Sequence, residues 1–133
     1  TSTNKTLERI IDATPTEQKA QVTNVLAQVL QGVISQTLVK TAEGRGRKAI
    51  VEVLVMTPAI AHLLTNDKIF QIPMKLETGR SLGMQLLDHA LLEAVQRKQI
   101  DPDDAYLHAQ DKKPFQRFVT DPQLLPKISL VGA

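Results

Sequence analysis

Residues 41–64, TAEGRGRKAIVEVLVMTPAIAHLL, constrain the fold more than any other stretch. A turn of glycines and arginines opens it, a run rich in valine and isoleucine follows over residues 48–56, and Thr57-Pro58 then starts a helix with no linker between. A threonine side chain accepts a hydrogen bond from a free amide of a first helical turn, and proline suits the first helical position because it has no N–H to leave unpaired. Upstream, residues 33–40 have the same β-branched character, and the short glycine-bearing link closes an antiparallel hairpin. Two strands alone are marginal in water, so the rest of the chain has to cover them.

That remainder reads as helices. Residues 5–12 carry Leu7, Ile10 and Ile11 on one side. Thr14 is expected to cap a second helix, with Pro15 at its first position and Glu17 at the capping-box spacing. Ala20, Val22, Val25, Leu26, Val29, Leu30 and Val33 extend that helix as one apolar stripe, and Gly32 is expected to end it. Downstream, Pro73 opens a short helix that Gly79 closes. Leu82, Leu86, Leu87, Ala90, Leu91, Ala94 and Val95 predict a four-turn amphipathic helix. Asp101 caps the next, where Pro102 leads and Asp103 and Asp104 favour the positive end of the helix dipole. Phe115, Phe118 and Val119 mark a last short helix before an irregular, mobile tail over residues 122–133. The fold class is therefore α+β and mostly helical, with the hairpin at about residues 33–56, a helical bundle over 57–121, and no internal repeat or linker.

Composition narrows the function classes. In 133 residues, 42% are hydrophobic but 3% aromatic, so the core is aliphatic. The 16 basic and 14 acidic residues are spread along the chain, which gives no footprint for nucleic acid or anionic lipid. With no cysteine, disulfide frameworks and cysteine zinc sites are excluded. No apolar run approaches the ~20 residues that span a bilayer, and residues 1–10 do not read as a signal peptide, so a soluble chain is expected.

The chemistry-bearing motifs are sparse. GxxxxGK[ST], GxGxxG and GxSxG are all missing. His62, His89 and His108 lie 27 and 19 residues apart, outside the local spacing of a helical metal site, and no metal is expected. Asp103 and Asp104 are adjacent on a helix and point in different directions, so capping accounts for them better than acid–base work. Met56, Met74 and Met84 share no helical face and read as core filler. Gly44, Arg45, Gly46, Arg47 and Lys48 form the one tempting site. Two glycines allow amides to converge on an anion beside three cations, but a water-facing hairpin turn asks for the same residues.

Residues 32–64, GVISQTLVKTAEGRGRKAIVEVLVMTPAIAHLL, followed by QIPMKLETGRSLGMQLLDHAL over residues 71–91, resemble the C-terminal part of the PilT-type ATPases that retract type IV pili, within the secretion ATPase superfamily. TNKTLERIID (residues 3–12) looks like the segment after that family's histidine box, and DDAYLHAQDKKPFQRF (residues 103–118) like its terminal helices. The resemblance implies the C-terminal portion of a RecA-like P-loop domain from a cytoplasmic hexameric motor. That motor uses ATP and Mg²⁺, drives twitching motility and works against the inner-membrane platform protein of the pilus. The Walker motifs would lie upstream of residue 1, so this chain by itself is expected to hold no nucleotide and no catalytic residue. Only the end of the histidine box would remain, at Thr1, Ser2 and Thr3.

The family's retraction motif, AIRNLIRE, falls on residues 59–66, which here read AIAHLLTN. Ala59, Ile60 and Leu63 match and Leu64 is conservative. Ala61 and Thr65 replace the arginines, His62 the asparagine and Asn66 the glutamate. Extension and type II secretion ATPases share this region but usually carry a tetracysteine insert near Gly44 to Arg47, so the lack of cysteine favours the retraction class. A non-catalytic binding or assembly domain of the same architecture is the alternative, and nucleic-acid binding through the turn lacks an aromatic platform. A last expectation concerns the sheet. An edge bearing Val51, Val53 and Val55 would stay open without a third strand and would favour self-association.

Overall fold

The computed structural model of the chain describes residues 2–126. In order come α1 (Thr3–Asp12), α2 (Lys19–Val29), β1 (Gly32–Lys40), β2 (Arg47–Val55), α3 (Pro58–Thr65), α4 (Ile72–Thr78), α5 (Leu87–Gln96) and α6 (Pro102–His108). Short 3-10 turns lie between and after them, including Lys113–Phe118 and Pro122–Leu124. The strands pair antiparallel from Gly32 opposite Val55 to Lys40 opposite Arg47, within a residue or so of the bounds read from the sequence.

The hairpin is two-faced, as alternation along a strand requires. Val39, Ile50, Glu52 and Leu54 are buried on one face, while Ile34 and Leu38 on the other are exposed. The buried face serves two cores. Val39 and Ile50 join Leu87, Leu91, Tyr106 and Phe115 from the C-terminal helices, whereas Leu54 joins Leu7, Ile60, Leu64, Ile72 and Leu76. Glu52 stands on β2 between Ile50 and Leu54, at the seam of the two clusters.

Local chemistry explains most boundaries. Thr57 accepts a hydrogen bond from the Ile60 amide at 3.2 Å and Pro58 occupies the first turn, as expected. Asp101 accepts from the Asp103 amide at 3.0 Å. Gly79 closes α4, where a Cβ would lie 2.6 Å from Met84 Sδ and 2.9 Å from the Lys75 carbonyl. Two helices end on left-handed residues other than glycine, Asp67 and Lys98, both at φ 56°. In each case the following amide reaches back to a carbonyl of the last turn, Lys68 to Leu63 at 2.8 Å and Gln99 to Ala94 at 2.9 Å. At Lys98 a second bond, from its own amide to Val95 O at 3.0 Å, completes a Schellman closure, and at each end the returning amide offsets the strain of a side chain at positive φ.

Several expectations fail for identifiable reasons. Thr14 does not cap α2, because its hydroxyl bonds back to the Ile10 carbonyl at 3.1 Å. Pro15 is extended, a 3-10 turn (Thr16–Gln18) intervenes, and the helix starts at Lys19. The same helix stops at Val29 rather than Gly32, since Gly32 and Val33 are needed in β1, and a Cβ on Gly32 would sit 2.9 Å from the Leu54 carbonyl. Its stripe is shallow, with Val25 and Val29 exposed and no residue fully buried. The helix expected to run four turns is shorter, ten residues from Leu87 to Gln96, leaving out Leu82 and Leu86. Gly83 at φ 90° breaks the run, and Gln85 extends to bridge Val53.

Of the methionines, Met84 is buried and Met56 packs at the margin, but Met74 is exposed. Asp103 and Asp104 do more than favour a dipole: the Lys40 amide donates to Asp104 at 2.8 Å and the Thr120 amide to Asp103 at 2.6 Å. The tail begins in a 3-10 turn whose Leu124 packs on the C-terminal core, and residues 127–133 lie outside the described residues.

Candidate functional site

The glycine-arginine turn is organised by one side chain and two backbone groups of Thr41. Its carbonyl accepts from Gly44 N at 3.0 Å, its amide donates to Gly46 O at 2.9 Å, and its hydroxyl accepts from Gly46 N at 3.3 Å. Gly44 sits at φ 75°, which explains one glycine. The turn is pinned from outside by Ala42 N donating to Gln99 O at 3.2 Å. The amides of both glycines are therefore committed to Thr41, and they do not converge on an anion. What the turn offers instead is charge. Arg45, Arg47 and Lys48 are exposed, and among the described residues none of them enters an ion pair. A cationic knuckle of this kind suits an acidic surface better than a coordinated phosphate.

Helix α3 divides the retraction-motif positions by burial. Ile60, Leu63 and Leu64 are in the core, Ala61 is half-buried, and Ala59, His62, Thr65 and Asn66 face water. The substituted positions satisfy one another. Asn66 Nδ2 donates to the His62 carbonyl at 2.7 Å and lies 3.1 Å from His62 Nδ1, and the Thr65 hydroxyl donates to Ala61 O at 3.1 Å. Beside the end of α3, an open groove of about 550 Å³ runs to α1 and α2, lined by Ile11, Asp12, Lys19, Thr23, Leu64 and Thr65 among others. Lys19 and Asp12 face each other across it at 3.9 Å.

The third set of candidates opens the chain. Thr1 lies outside the described residues. Ser2 caps α1 by accepting from Lys5 N at 3.3 Å. Thr3 is fully buried and gives both its amide (2.9 Å) and its hydroxyl (2.8 Å) to Glu52 Oε1, while the Leu87 amide gives its hydrogen to Oε2 at 3.0 Å. One carboxylate thus closes the N-termini of two helices, α1 and α5, where partial positive charge gathers. Leu86, at the cap position of α5, has no side chain able to do this. Sequence reasoning passed over Glu52. The signal was a lone acid at period two between Ile50 and Leu54, on the strand face that must be buried.

The three sets occupy separate places: the turn against Gln99, α3 beside α1 and α2, and Thr3 at the seam. The histidines are equally scattered, with His62 next to Asn66, His89 3.6 Å from Glu77 and His108 3.7 Å from Asp104. Among the described residues no group of three or more His, Asp or Glu side chains gathers to hold a metal, and no helix is long and apolar enough to cross a membrane.

No protein-family model matches the chain. Individual relatives do. Over 105 residues, 79% of its length, the chain is 45% identical to the type IV pilus retraction ATPase PilT of Pseudomonas aeruginosa. Over 113 residues it is 40% identical to the twitching motility protein of Neisseria gonorrhoeae. A crystal structure of the pilus retraction motor PilT with bound ADP superposes on 87% of the chain with a TM-score of 0.74 at 30% identity. The chain corresponds to a segment of the PilT-type ATPases. It spans 30% of the length of the two relatives and 32% of the solved motor. The ATPase DotB of Legionella pneumophila shares the fold, with a TM-score of 0.63 at 20% identity over 80% of the chain. The hairpin with helices on one side, read from strand and cap signals, is thus the architecture of this part of a PilT-type protein.

Proposed function

We propose that this chain is the C-terminal segment of an ATP-driven motor that retracts type IV pili, and that the segment is not itself the nucleotide site. The observation that carries this reading is the 45% identity to a pilus retraction ATPase over 79% of the chain. The whole protein is then a P-loop ATPase using ATP and Mg²⁺, assembled as a homo-hexameric ring at the cytoplasmic face of the inner membrane, where it engages the pilus platform protein. The segment contributes packing and contact surfaces rather than catalysis. Phosphoryl transfer needs a cradle for the phosphates and Mg²⁺, and the Gly44–Gly46 turn spends its glycine amides on Thr41. The exposed charges of Arg45 and Arg47 support a role in contact between subunits or domains. His62, Thr65 and Asn66 put a self-bonded surface without arginine or glutamate where the family motif carries them, so α3 engages its neighbours with altered chemistry.

Calorimetric titration of the 133-residue chain with Mg-ATP tests the first part, and micromolar binding would overturn it. Replacing Arg45 and Arg47 together by alanine in the full-length protein tests the second. A lower ATPase rate or impaired assembly is expected, with the melting temperature of the segment unchanged. A variant segment that melts far earlier would make the turn purely structural.

A further inference from the structure

Helices α1 and α5 belong to different cores. Leu7 of α1 shares one with Leu54 and Ile60, whereas Leu87 of α5 shares the other with Ile50 and Phe115. Their first turns are nevertheless tied to one point, because Glu52 Oε1 accepts from the Thr3 amide and hydroxyl while Oε2 accepts from the Leu87 amide. Thr3 and Glu52 are buried by the segment itself, so this junction does not depend on what else the whole protein packs around it.

From that junction α5 runs as a strut. Its start is fixed to β2 a second time, since Val53 exchanges two 2.9 Å bonds with Gln85 and the Gln85 side chain donates to Val51 O at 2.7 Å. Those bonds also close the middle of the β2 edge, which was expected from the sequence to stay open. Beyond the far end of α5, the Gln99 carbonyl accepts from Ala42 N at 3.2 Å and so holds the turn that presents Arg45 and Arg47. At ~1.5 Å per residue, the ten residues of α5 span about 15 Å between the two fixtures.

We propose that Glu52 is a positioning residue of the motor: it makes α1 and α5 move together, so that a change in the nucleotide-bearing part reaches the cationic turn. This rests on the reading above, in which that part precedes α1 in the chain and Arg45 and Arg47 meet a neighbouring subunit or domain. A displacement arriving along the chain enters through the first turn of α1, where Thr3 grips one carboxylate oxygen twice. A carboxylate suits this task, since it accepts on both oxygens and its charge-assisted bonds are short and directional. An apolar residue at position 52 would continue the buried strand face but would let α1 slide over β2, as packed surfaces do in shear motions. Glutamine is intermediate. Its oxygen keeps Thr3 and Gln85 keeps α5 on β2, so a continuous link survives.

Hydrogen exchange of the full-length protein with and without Mg-ADP tests this. In the parent, nucleotide is expected to alter exchange in residues 3–12 and also in residues 41–47 and 87–99. Glu52→Met removes all three acceptor bonds; it should keep the change in α1 but cut that in residues 41–47 to less than about a third. Glu52→Gln should transmit as the parent does although it is less stable, and so should Gly79→Ala, which is strained away from the seam. Should Glu52→Met fail to fold, Thr3→Val removes the hydroxyl bond alone and should lower the transmitted change about twofold, with exchange at Leu87 unaltered when no nucleotide is present. A full-length protein that binds no Mg-ADP overturns the motor reading, and the proposal with it. Nucleotide binding whose effect on exchange stops at α1 or never enters the segment overturns the proposal alone. So does an effect that reaches the turn undiminished in Glu52→Met or, failing that variant, in Thr3→Val.

Discussion

Replacing Glu52 by glutamine separates a carboxylate at the seam of two cores from an ordinary buried polar group. Its two oxygens accept three hydrogen bonds, two from backbone amides at the starts of α1 and α5 and one from the Thr3 hydroxyl. The residue is 2% exposed, so water does not replace a lost partner. Glutamine keeps one acceptor. If its oxygen stays with Thr3, the amide NH₂ faces the Leu87 N–H and one charge-assisted bond, ~1.5–3 kcal/mol, is lost. The favourable field of two helix termini goes with the charge, at ~0.3–1 kcal/mol each. The sum is about 2–5 kcal/mol, against a total stability of ~5–15 kcal/mol for a domain. Urea unfolding should show the midpoint fall with the slope unchanged, and hydrogen exchange should speed up first at Leu87. Glu93→Gln is the control. Its 2.7 Å pair with Arg97 lies on an exposed helix face and should matter by less than ~0.5 kcal/mol. If Glu52→Gln shifts stability no more than Glu93→Gln does, the shared cap contributes little and the two cores are held by packing alone.

Thr57→Ala removes the cap between β2 and α3 and should destabilise by ~1 kcal/mol in the same assay. Gly79→Ala drives a methyl into Met84 and the Lys75 carbonyl and should destabilise by ~1–3 kcal/mol, whereas Gly46→Ala, with nothing within 4 Å of the new Cβ, should lie within ~0.5 kcal/mol of the parent in thermal melts. The bonds from the Thr120 hydroxyl and amide hold the Asp103 carboxyl below its usual range. A lowered folded value means that Asp103 adds stability above the unfolded carboxylate pKa of ~4, and that this is lost as pH falls through the folded value. Asp103→Asn should therefore flatten the acid limb of a stability–pH curve, and NMR titration of the Thr120 amide should report a midpoint below the ordinary aspartate value.

Elements whose signals are local and unshared were legible. Thr57-Pro58 has one good use, and the β-branched runs at either side of the glycine turn have one good pairing. Misreadings came where a residue had two uses and a distant partner chose between them. Thr14 could cap forward or bond back to Ile10. Gly32 could end a helix or lie flat against Leu54, and its strand partner decided. Leu82 and Leu86 fit the helical period, but Gln85 between them is drawn to Val53, some thirty residues earlier in the chain. At the candidate sites, residue types revealed that the turn would be cationic and glycine-dependent. They did not reveal that Thr41 would claim the glycine amides, because that depends on backbone directions. Glu52 was hidden for a related reason: its partners are amide hydrogens of helix ends, which leave no mark in the side-chain pattern.

The engagement of Gln85 with β2 makes the two sides of the hairpin chemically unlike. A ribbon open on both sides can add strands without limit, the route by which stacked sheets grow into fibres. Here the β2 flank is blocked at its middle, where Gln85 takes up the outward groups of Val53 and the carbonyl of Val51. The residue that interrupts a helical run is thus the one that closes this flank: a chain that left Gln85 helical would gain part of a turn of α5 and would leave Val51 and Val53 without those partners.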